Sequence, residues 1–371
     1  MFCHLCGHSK VEAILEKPAI PIYTNASDED RKDNRLYSCC LNQCLECGHV
    51  FQPISKEIRN ALETVYLSEY AQITTPLGTG DWGKERASYY LNKLGKIDQY
   101  KRKSILEIGC GNGYVLKELK KAGFRDLVGI EPSIQKTQEI DGILFLKEFI
   151  TAGFTVKRKF DFIFSFGVFE HVDDINNLIS FIKKHLNDGG ELFVEVPNCL
   201  TQLNSGDPAV FCHEHAHCFY KESLCYLLAD YGFEVVEDRS DDHSLVICAK
   251  KTQANKVNSS DAIFFNEFQT TLENNLIRTE ENLNGNNVIV HGACNSLHNI
   301  LNWSGNKSDF TLVDSDTTKH GKTFFNKKVH SIDSVDLEAF DTVLIVPDFF
   351  SDAIKLDYER RGFNGRVDYI T

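Results

Sequence analysis

The sequence predicts an α/β protein, and two observations support that fold class. From about residue 85, short apolar runs alternate with amphipathic runs, as in "SILEIGCG", "YVLKELKKAGF", "LVGIEPS" and "INNLISFIKKHL". A shorter pattern of the same kind follows near the C-terminus, and a cysteine-rich segment precedes both. Such alternation is typical of a mostly parallel sheet with helices on both faces. We expect four parts: residues 1–60, residues 61–252, a linker helix at 253–283, and a small α/β domain at 284–371.

Composition limits the classes of function. The chain has 371 residues and a formal net charge of −13, which disfavours non-specific nucleic-acid binding. No apolar run approaches the roughly 20 residues that span a bilayer, and the start "MFCHLCGHSK" lacks the pattern of a signal peptide. We therefore expect a cytoplasmic protein that binds neither nucleic acid nor membrane. Its 13 cysteines, an odd number, favour reduced thiols in cores and in a metal site.

The cysteine-rich segment contains two C-x2-C pairs, "CHLCG" and "CLECGH", each followed by glycine. Two such knuckles present four thiolates, which is the arrangement of a tetrahedral zinc site. Unrelated buried cysteines are the alternative. A four-thiolate site leaves no open position, so the metal would be structural. The predicted ligands are Cys3, Cys6, Cys44 and Cys47, with Cys39, Cys40 and His49 as substitutes.

The turn after the first strand of the central region is "EIGCGNG". A dinucleotide fingerprint would place its third glycine at position 114, which is Tyr114. The spacing G-x-G-x-G after Glu107 instead resembles motif I of class I S-adenosylmethionine-dependent methyltransferases. This resemblance implies a Rossmann-like domain that binds its cofactor at the carboxyl ends of the strands. A nucleotide-binding α/β domain of another kind is the alternative.

Two further elements support the resemblance. Glu131 in "GIEPS" ends the next strand, where it is expected to accept hydrogen bonds from both ribose hydroxyls, and "SFGVFEHVDD" resembles a segment that lines the cofactor pocket. The expected cofactor-binding residues are Glu107, Gly109, Cys110, Gly111, Gly113, Glu131, Pro132 and Phe166.

The stretch "FCHEHAHCF" contains H-E-x-x-H, the zinc-metalloprotease signature, which needs a helix. The flanking β-formers instead predict extended chain, with His213, His215 and His217 pointing to one side and the next helix starting near Lys221. A downstream Glu237 is the best argument for a protease, and packing histidines are the other alternative. A histidine and a carboxylate after the fifth strand suit removal of a proton from a substrate.

The whole chain resembles the sugar C-methyltransferase family, whose members methylate a nucleotide-linked keto-sugar. The resemblance rests on the cysteine pairs, on "EIGCGNG", and on the C-terminal runs "GACNSLHNIL", "VDSDTTKHGK" and "VLIVPDFF". It implies structural Zn²⁺, S-adenosylmethionine and a small-molecule nucleotide-sugar substrate, and it specifies neither the sugar nor an oligomeric state. The catalytic residues that it implies are Glu214 and His215, His171, and a tyrosine of "VYLSEYAQ", Tyr66 or Tyr70.

His215 would remove a proton beside the ketone, Glu214 would orient it, and His171 with the tyrosine would bind sugar oxygens. Cys212 stands where family members tend to have Tyr, and the C-terminal glycine turn lacks the usual small residues and lysine. A sugar O-methyltransferase therefore stays open as an alternative. So does a non-catalytic binding protein with a degenerate core.

Overall fold

A computed structural model describes residues 1–24, 26–27, 35–69, 76–95, 97–252, 262–285, 287–305, 308–347 and 351–370. The chain divides into two compact units that are interleaved along the sequence. The first comprises Met1–Ala13, Leu41–Leu200 and Glu214–Phe264, and the second comprises Ile14–Cys40, Thr201–His213 and Phe265–Thr371. The predicted domain boundaries follow chain order, whereas these units do not.

The strands and helices follow the predicted alternation in the central region. The strands are β1 (Val11–Pro21), β2 (Leu36–Cys44), β3 (Val50–Phe51), β4 (Ser104–Ile108), β5 (Asp126–Ile130), β6 (Gln138–Ile140), β7 (Ile143–Leu146), β8 (Phe160–Phe166), β9 (Leu186–Pro197), β10 (His217–Cys218), β11 (Phe233–Asp238), β12 (Ser244–Lys251), β13 (Val288–His291), β14 (Thr311–Val313), β15 (Thr323–Phe324), β16 (Lys327–His330), β17 (Thr342–Ile345) and β18 (Arg366–Tyr369). The helices are α1 (Lys56–Thr64), α2 (Gly80–Leu94), α3 (Tyr114–Lys121), α4 (Ile175–His185), α5 (Cys199–Ser205), α6 (Lys221–Asp230), α7 (Phe268–Leu283), α8 (Asn295–Ser304) and α9 (Ser351–Arg360).

The first unit is built on an eight-stranded sheet of order β11-β12-β9-β8-β4-β5-β7-β6. Strands β7, β5, β4, β8 and β9 run parallel, and β12 lies antiparallel between β9 and β11. Within this sheet the chain first forms β4, continues outward through β5 to β7, and then returns to the other side of β4 with β8. This reversal makes the ends of β4 and β8 the topological switch point, where such sheets bind ligands.

Both faces of the parallel strands are buried, as near-continuous apolar runs predict. In β4, Leu106 and Ile108 pack into one core and Ile105 packs into the other. Helices cover both faces because they bury apolar stripes against these cores. The predicted turn "DGG" lies inside β9 instead, where the pairing with β8 shifts register between Phe160 and Phe162.

The smaller sheets complete the fold. Strands β1, β2, β3 and β10 form a four-stranded sheet, in which β3 pairs antiparallel with both β2 and β10. The second unit contains a six-stranded sheet of order β15-β16-β14-β13-β17-β18, whose strands β16, β14, β13, β17 and β18 run parallel. Within the described ranges, no helix is long and apolar enough to cross a bilayer.

Candidate active site

The turn between β4 and α3 takes the conformation that its glycines predict. Gly109, Gly111 and Gly113 have φ values of 73°, 50° and 72°, in the left-handed region that favours glycine. A Cβ at Gly109 would lie 2.3 Å from Val168, and one at Gly113 would lie 2.5 Å from Phe145, whereas a Cβ at Gly111 would meet nothing within 4 Å. The outer glycines therefore fit against protein, and Gly111 borders open space.

Glu131 holds this turn in place. Its Oε2 accepts a hydrogen bond from the Gly111 backbone N–H at 2.9 Å, and its Oε1 accepts one from Ser133 at 2.9 Å. Each carboxylate oxygen can accept a second hydrogen bond. Glu131 can therefore fix the glycine turn and still receive hydroxyl donors from a ligand.

A cavity of about 1230 Å³ opens in front of the turn. Its volume slightly exceeds the usual range of about 300–1,000 Å³ for small-molecule sites. The predicted cofactor-binding residues that line it are Glu107, Gly109, Cys110, Gly111, Glu131, Pro132 and Phe166. Gly113 does not line it, because Gly113 caps the start of α3. A bound nucleoside would therefore meet backbone at the turn and carboxylates at the ends of β4 and β5.

Glu107 is more deeply buried than the prediction implies. It is 3% exposed, and its Oε2 has no hydrogen-bond partner among the described residues. Burial, followed by the nearby Glu131 carboxylate, raises the pKa of Glu107 well above its usual value. A ligand that donates a hydrogen bond here would satisfy an otherwise unpaired acceptor.

The histidine-rich segment is not a helix, in agreement with the prediction. It is also not one extended run: His213 and Glu214 form a turn, and β10 starts only at His217. The prediction that the three histidines point to one side is therefore wrong. The rings have separate local partners: His213 bonds the carbonyl of Ile20 at 2.9 Å through Nε2.

His217 is fully buried and is part of a chain of two imidazoles. Its Nε2 lies 3.0 Å from the carbonyl oxygen of Val172, so that nitrogen must carry the hydrogen. Its Nδ1 is then the acceptor for Nε2 of His49 at 2.9 Å. The H-E-x-x-H histidines thus stabilise backbone, and no helix presents them to a common metal.

His215 differs from its two neighbours. Its ring makes no hydrogen bond to any residue that the structure describes, and it lines the cavity. Its backbone is held firmly, because Gln52 donates to the His215 carbonyl at 2.8 Å and the Gln52 N–H donates to Ala216. The ring is therefore well placed and chemically available.

The other predicted catalytic residues lie beside His215. The rings of His171 and His215 are 4.8 Å apart in an edge-on arrangement. Nδ1 of His171 lies 3.0 Å from the carbonyl of Glu214 and 3.2 Å from the Tyr66 hydroxyl. All four residues line the cavity. Tyr70 lies outside the described residues.

Burial sets the ionisation of this group. The pKa of His215 is lowered well below 6.5, first by burial and then by the neighbouring His171. Burial likewise lowers the pKa of His171 to about 4 and raises that of Glu214 to about 8. The two rings are thus neutral near pH 7, and a neutral imidazole is the form that accepts a proton.

Among the other residues that line the cavity, Tyr90, Arg86 and Glu170 were not predicted as site residues. Tyr90 on α2 stacks on Phe166 with ring centroids 4.4 Å apart, and Arg86 lies over the Tyr90 ring. Glu170 directly precedes His171 and is 3% exposed. Only Glu170 had a usable signal, since it lies within the quoted "FGVFEHVDD" segment.

The four cysteines of the two knuckles lie together. Cys3 Sγ is 3.6 Å from Cys47 Sγ, Cys6 Sγ is 3.6 Å from Cys44 Sγ, and all four sulfur atoms lie within 4.8 Å of one another. A disulfide would need about 2.05 Å. Zn–S bonds of about 2.3 Å in a tetrahedron place sulfur atoms about 3.8 Å apart, so this donor set fits Zn²⁺.

The knuckles repeat the same backbone geometry because they repeat the same sequence, C-x-x-C-G-H. Gly7 donates to the Cys3 carbonyl and Gly48 to the Cys44 carbonyl, and the two glycines have φ values of 70° and 74°. A Cβ at Gly48 would lie 2.5 Å from the Tyr220 hydroxyl. Glycine is thus required after the second pair for both conformation and space.

The strand order of the large sheet, with the glycine turn and Glu131 at its switch point, defines a class I methyltransferase fold. Residues 82–238 match the family model described as "Methyltransferase domain". The chain therefore carries a methyltransferase domain of the S-adenosylmethionine-dependent class.

Curated relatives cover parts of the chain. It is 23% identical over 254 residues to C-methyltransferase NovU of Streptomyces niveus, which covers 63% of this chain and 56% of that protein. It is 31% identical over 104 residues to the tRNA U34 carboxymethyltransferase of Campylobacter hominis, which covers 25% of this chain and 35% of that protein. The chain thus spans about half or less of the length of these relatives.

Two solved methyltransferase structures are similar to about half of this chain. One is the N-methyltransferase NodS from Bradyrhizobium japonicum WM9 in complex with S-adenosyl-L-homocysteine, with a TM-score of 0.37 and 20% identity over 52% of this chain and 97% of that chain. Another is a magnesium protoporphyrin IX methyltransferase from Synechocystis PCC 6803, with a TM-score of 0.40 and 15% identity over 52% of this chain and 100% of that chain.

Proposed function

We propose that this protein transfers a methyl group from S-adenosylmethionine to a carbon atom of a nucleotide-linked keto-sugar. The observation that carries the proposal is the difference among the three clustered histidines. His213 and His217 each bond a backbone carbonyl, whereas the His215 ring bonds no described residue and lines the cavity. The similarity to a C-methyltransferase over 63% of the chain supports carbon as the acceptor.

The glycine turn, Glu131 and Glu107 would hold the methyl donor. Gly111 leaves open space, the Glu131 oxygens can accept further hydrogen bonds, and Glu107 has an unpaired buried oxygen. When bound, S-adenosylmethionine supplies an electrophilic methyl group on a sulfonium. The chain's own task is then to make the acceptor nucleophilic.

His215 is the base in this proposal. It removes the proton from the carbon beside the ketone, and its lowered pKa keeps it neutral and ready to accept that proton. Glu214 anchors the group, because its carbonyl accepts the Nδ1–H of His171. The Tyr66 hydroxyl lies 3.2 Å from that nitrogen and lines the same cavity, so Tyr66 is the tyrosine assigned to the sugar oxygens.

The four-cysteine cluster would bind a structural Zn²⁺. Bound there, it would link the segment at Cys3 to the segment at Cys44 across 40 intervening residues. Strand β3 starts three residues after Cys47 and pairs with β10 of the histidine segment. Zinc therefore supports the strand next to which His215 is held.

Two measurements on the full chain test the proposal. Calorimetry with S-adenosylmethionine should show binding, and a degenerate core would show none. Mass spectrometry should then show methyl addition to at least one member of a panel of nucleotide-linked keto-sugars. Methyl addition only to sugars that lack a ketone would favour the O-methyltransferase alternative.

A further inference from the structure

One buried carboxyl group in the cavity wall, that of Glu170, has no role in the mechanism above. It is 3% exposed, and its Oε2 has no hydrogen-bond partner among the described residues. Its Oε1 lies 3.6 Å from Nε2 of His171, slightly beyond normal hydrogen-bond reach. An unpaired carboxylate in such a place is strongly disfavoured, so the pair must hold a proton or another compensating charge.

The hydrogen bonds of His171 determine where that proton can be. Nδ1 faces the carbonyl oxygen of Glu214 at 3.0 Å, and because a carbonyl only accepts, Nδ1 carries a hydrogen. In the neutral ring, Nε2 then carries the lone pair, and it is the ring nitrogen that lies 3.6 Å from Oε1 of Glu170. Without a proton, Nε2 and Oε1 would be two acceptors facing each other. With one proton on each atom, they would be two donors facing each other. One shared proton is the arrangement that pairs both groups.

The surrounding groups favour this state. Burial and then the Glu195 carboxylate raise the pKa of Glu170 well above its usual value. Burial lowers the pKa of His171 to about 4. At rest the proton therefore lies on the carboxyl group. The titratable groups that face the pair are Tyr66, which follows α1, Arg86 of α2, Glu195 of β9, Cys199 of α5, and Glu214 and His215 of the histidine segment.

We propose that Glu170 and Nε2 of His171 hold one proton between them, and that Nε2 passes it to the carbonyl oxygen of the acceptor while His215 removes the proton from the adjacent carbon. This inference rests on the proposed function. Glu170 acts through His171 and is therefore a positioning residue. His171 is the group that would touch the substrate, and its side chain is 24% exposed.

The step balances in protons and electrons. The C–H bond breaks and its proton goes to His215, while the oxygen takes the shared proton and becomes the hydroxyl of an enol. The enol carbon then bonds the methyl group as the methyl–sulfur bond breaks. The hydroxyl proton returns to the pair, and the proton on His215 leaves to solvent. One proton is released for each methyl group transferred.

A substrate-free measurement tests the shared proton directly. In the full chain, NMR with ¹³C-carboxyl glutamate and ¹⁵N-histidine labels would follow both groups near neutral pH. Glu170→Gln and His171→Asn assign the two signals. We expect one proton on the pair, which is lost in a single step as pH rises. An ionised Glu170 beside a neutral His171 would overturn the proposal, and so would a doubly protonated pair.

Glu170→Gln keeps the shape of the side chain but removes the transferable proton. With the keto-sugar that the wild type methylates, we expect kcat to fall about 10²-fold while the affinity for S-adenosylmethionine is unchanged. The decline of activity at high pH, which reports loss of the shared proton, should disappear. A purely structural role would change the melting temperature and leave that pH limb in place, which would contradict the inference.

Glu195→Gln is the matched control. Glu195 is also buried, at 4% exposure, and burial raises its pKa to about 7, but it accepts a hydrogen bond from Ser244 and does not line the cavity. Because its carboxylate raises the pKa of Glu170, Glu195→Gln should keep near-wild-type kcat at neutral pH and move the high-pH limb to lower pH, whereas Glu170→Gln should abolish that limb. Wild-type kcat in Glu170→Gln would overturn the proposal. The donor atoms of Glu170, His171 and His215 lie within 4.8 Å of one another, so they could instead hold a metal ion. A divalent ion that binds the wild type but not Glu170→Gln would therefore also overturn the proposal. If no ketone is methylated, the proposed function fails, while the NMR result still decides whether the pair shares a proton.

Discussion

At the scale of single residues, hydrogen bonding distinguishes the proposed base, His215, from the neighbouring His213 and His217. The string "HEHAH" offers three histidines with the same side chain. Two of them stabilise backbone carbonyls through ring nitrogens, and only His215 keeps its ring available to the cavity. Letters alone could not show this difference, because it depends on which carbonyls the fold brings to each ring.

Replacing His215 with alanine should remove most turnover. A well-placed base contributes about 10²–10⁴-fold in rate, so kcat should fall within that range. Calorimetry should show unchanged binding of S-adenosylmethionine, because the glycine turn lies on other elements. Turnover at the wild-type rate in His215→Ala would remove this residue from the mechanism.

The pH dependence follows from the direction of the His215 shift. Burial disfavours the charged imidazolium, so the pKa of His215 lies well below 6.5 and the ring is protonated only at lower pH. The low-pH limb of kcat/KM should therefore lie below pH 6.5. A pH–rate profile with wild-type protein checks this expectation, and a midpoint above 6.5 would be inconsistent with a desolvated base.

The sequence predicts the residues of the site better than their local geometry. Glu214, His215, His171 and Tyr66 do meet in one cavity. Of these, only His171 closely follows a parallel strand, β8, whereas Tyr66 follows helix α1. The extended run was predicted from β-forming neighbours, yet the chain turns at His213 and Glu214. The bonds from Gln52 to the His215 carbonyl and to Ala216 span more than 160 residues, and no local propensity encodes them.

At the scale of elements, the β4–α3 turn offers a test with matched variants. Gly111, Gly113 and Gly123 all have positive φ, at 50°, 72° and 94°, so alanine costs each position about 1–2 kcal/mol in backbone strain. Gly111→Ala would place a methyl group in the cavity, and Gly123→Ala would place one in open space away from it.

We expect Gly111→Ala to weaken S-adenosylmethionine binding by at least about tenfold, which corresponds to about 1.4 kcal/mol. Gly123→Ala should lose similar stability without losing affinity, as calorimetry and thermal unfolding would show. Gly113→Ala should be the least stable, because its Cβ would clash with Phe145. Equal ligand affinity in the Gly111 and Gly123 variants would place the cofactor elsewhere.

The cysteine knuckles are the second element with a consequence for catalysis. Strand β3 follows the second knuckle, pairs with β10, and leads into Gln52, which holds the His215 carbonyl. Metal analysis should find one zinc per chain. Stripping it with a chelator should lower kcat more than it weakens cofactor binding, and added zinc should restore turnover. Full turnover in zinc-free protein would show that the knuckles do not support the site.

The pattern of apolar residues accounts for the part of the fold that the sequence predicts. Helices α3, α4 and α6 follow clear apolar periodicity, and β4, β5, β8, β9 and β12 are short apolar runs between turns. Their order in the sheet depends on the return of the chain across β4, which a linear pattern does not contain. The interleaving of the two units, with Ile14–Cys40 and Thr201–His213 in the second one, had no sequence signal.

At the scale of the whole molecule, the central claim is that one cavity joins a methyl-donor site to a carbon-activating base. The acidic net charge of −13 suits a small-molecule acceptor better than a polyanion. The glycine turn, Glu131, His171 and His215 all line the same cavity of about 1230 Å³. A cavity of this volume has room for both a donor and an acceptor.

The most direct test is ¹³C NMR of the product formed from S-adenosylmethionine labelled in its methyl group and a nucleotide-linked keto-sugar. We expect the label in a new C–CH₃ group, formed by the wild type and lost in His215→Ala. Label found only in an O–CH₃ group would make the protein an O-methyltransferase, and no label in any sugar despite cofactor binding would contradict the account.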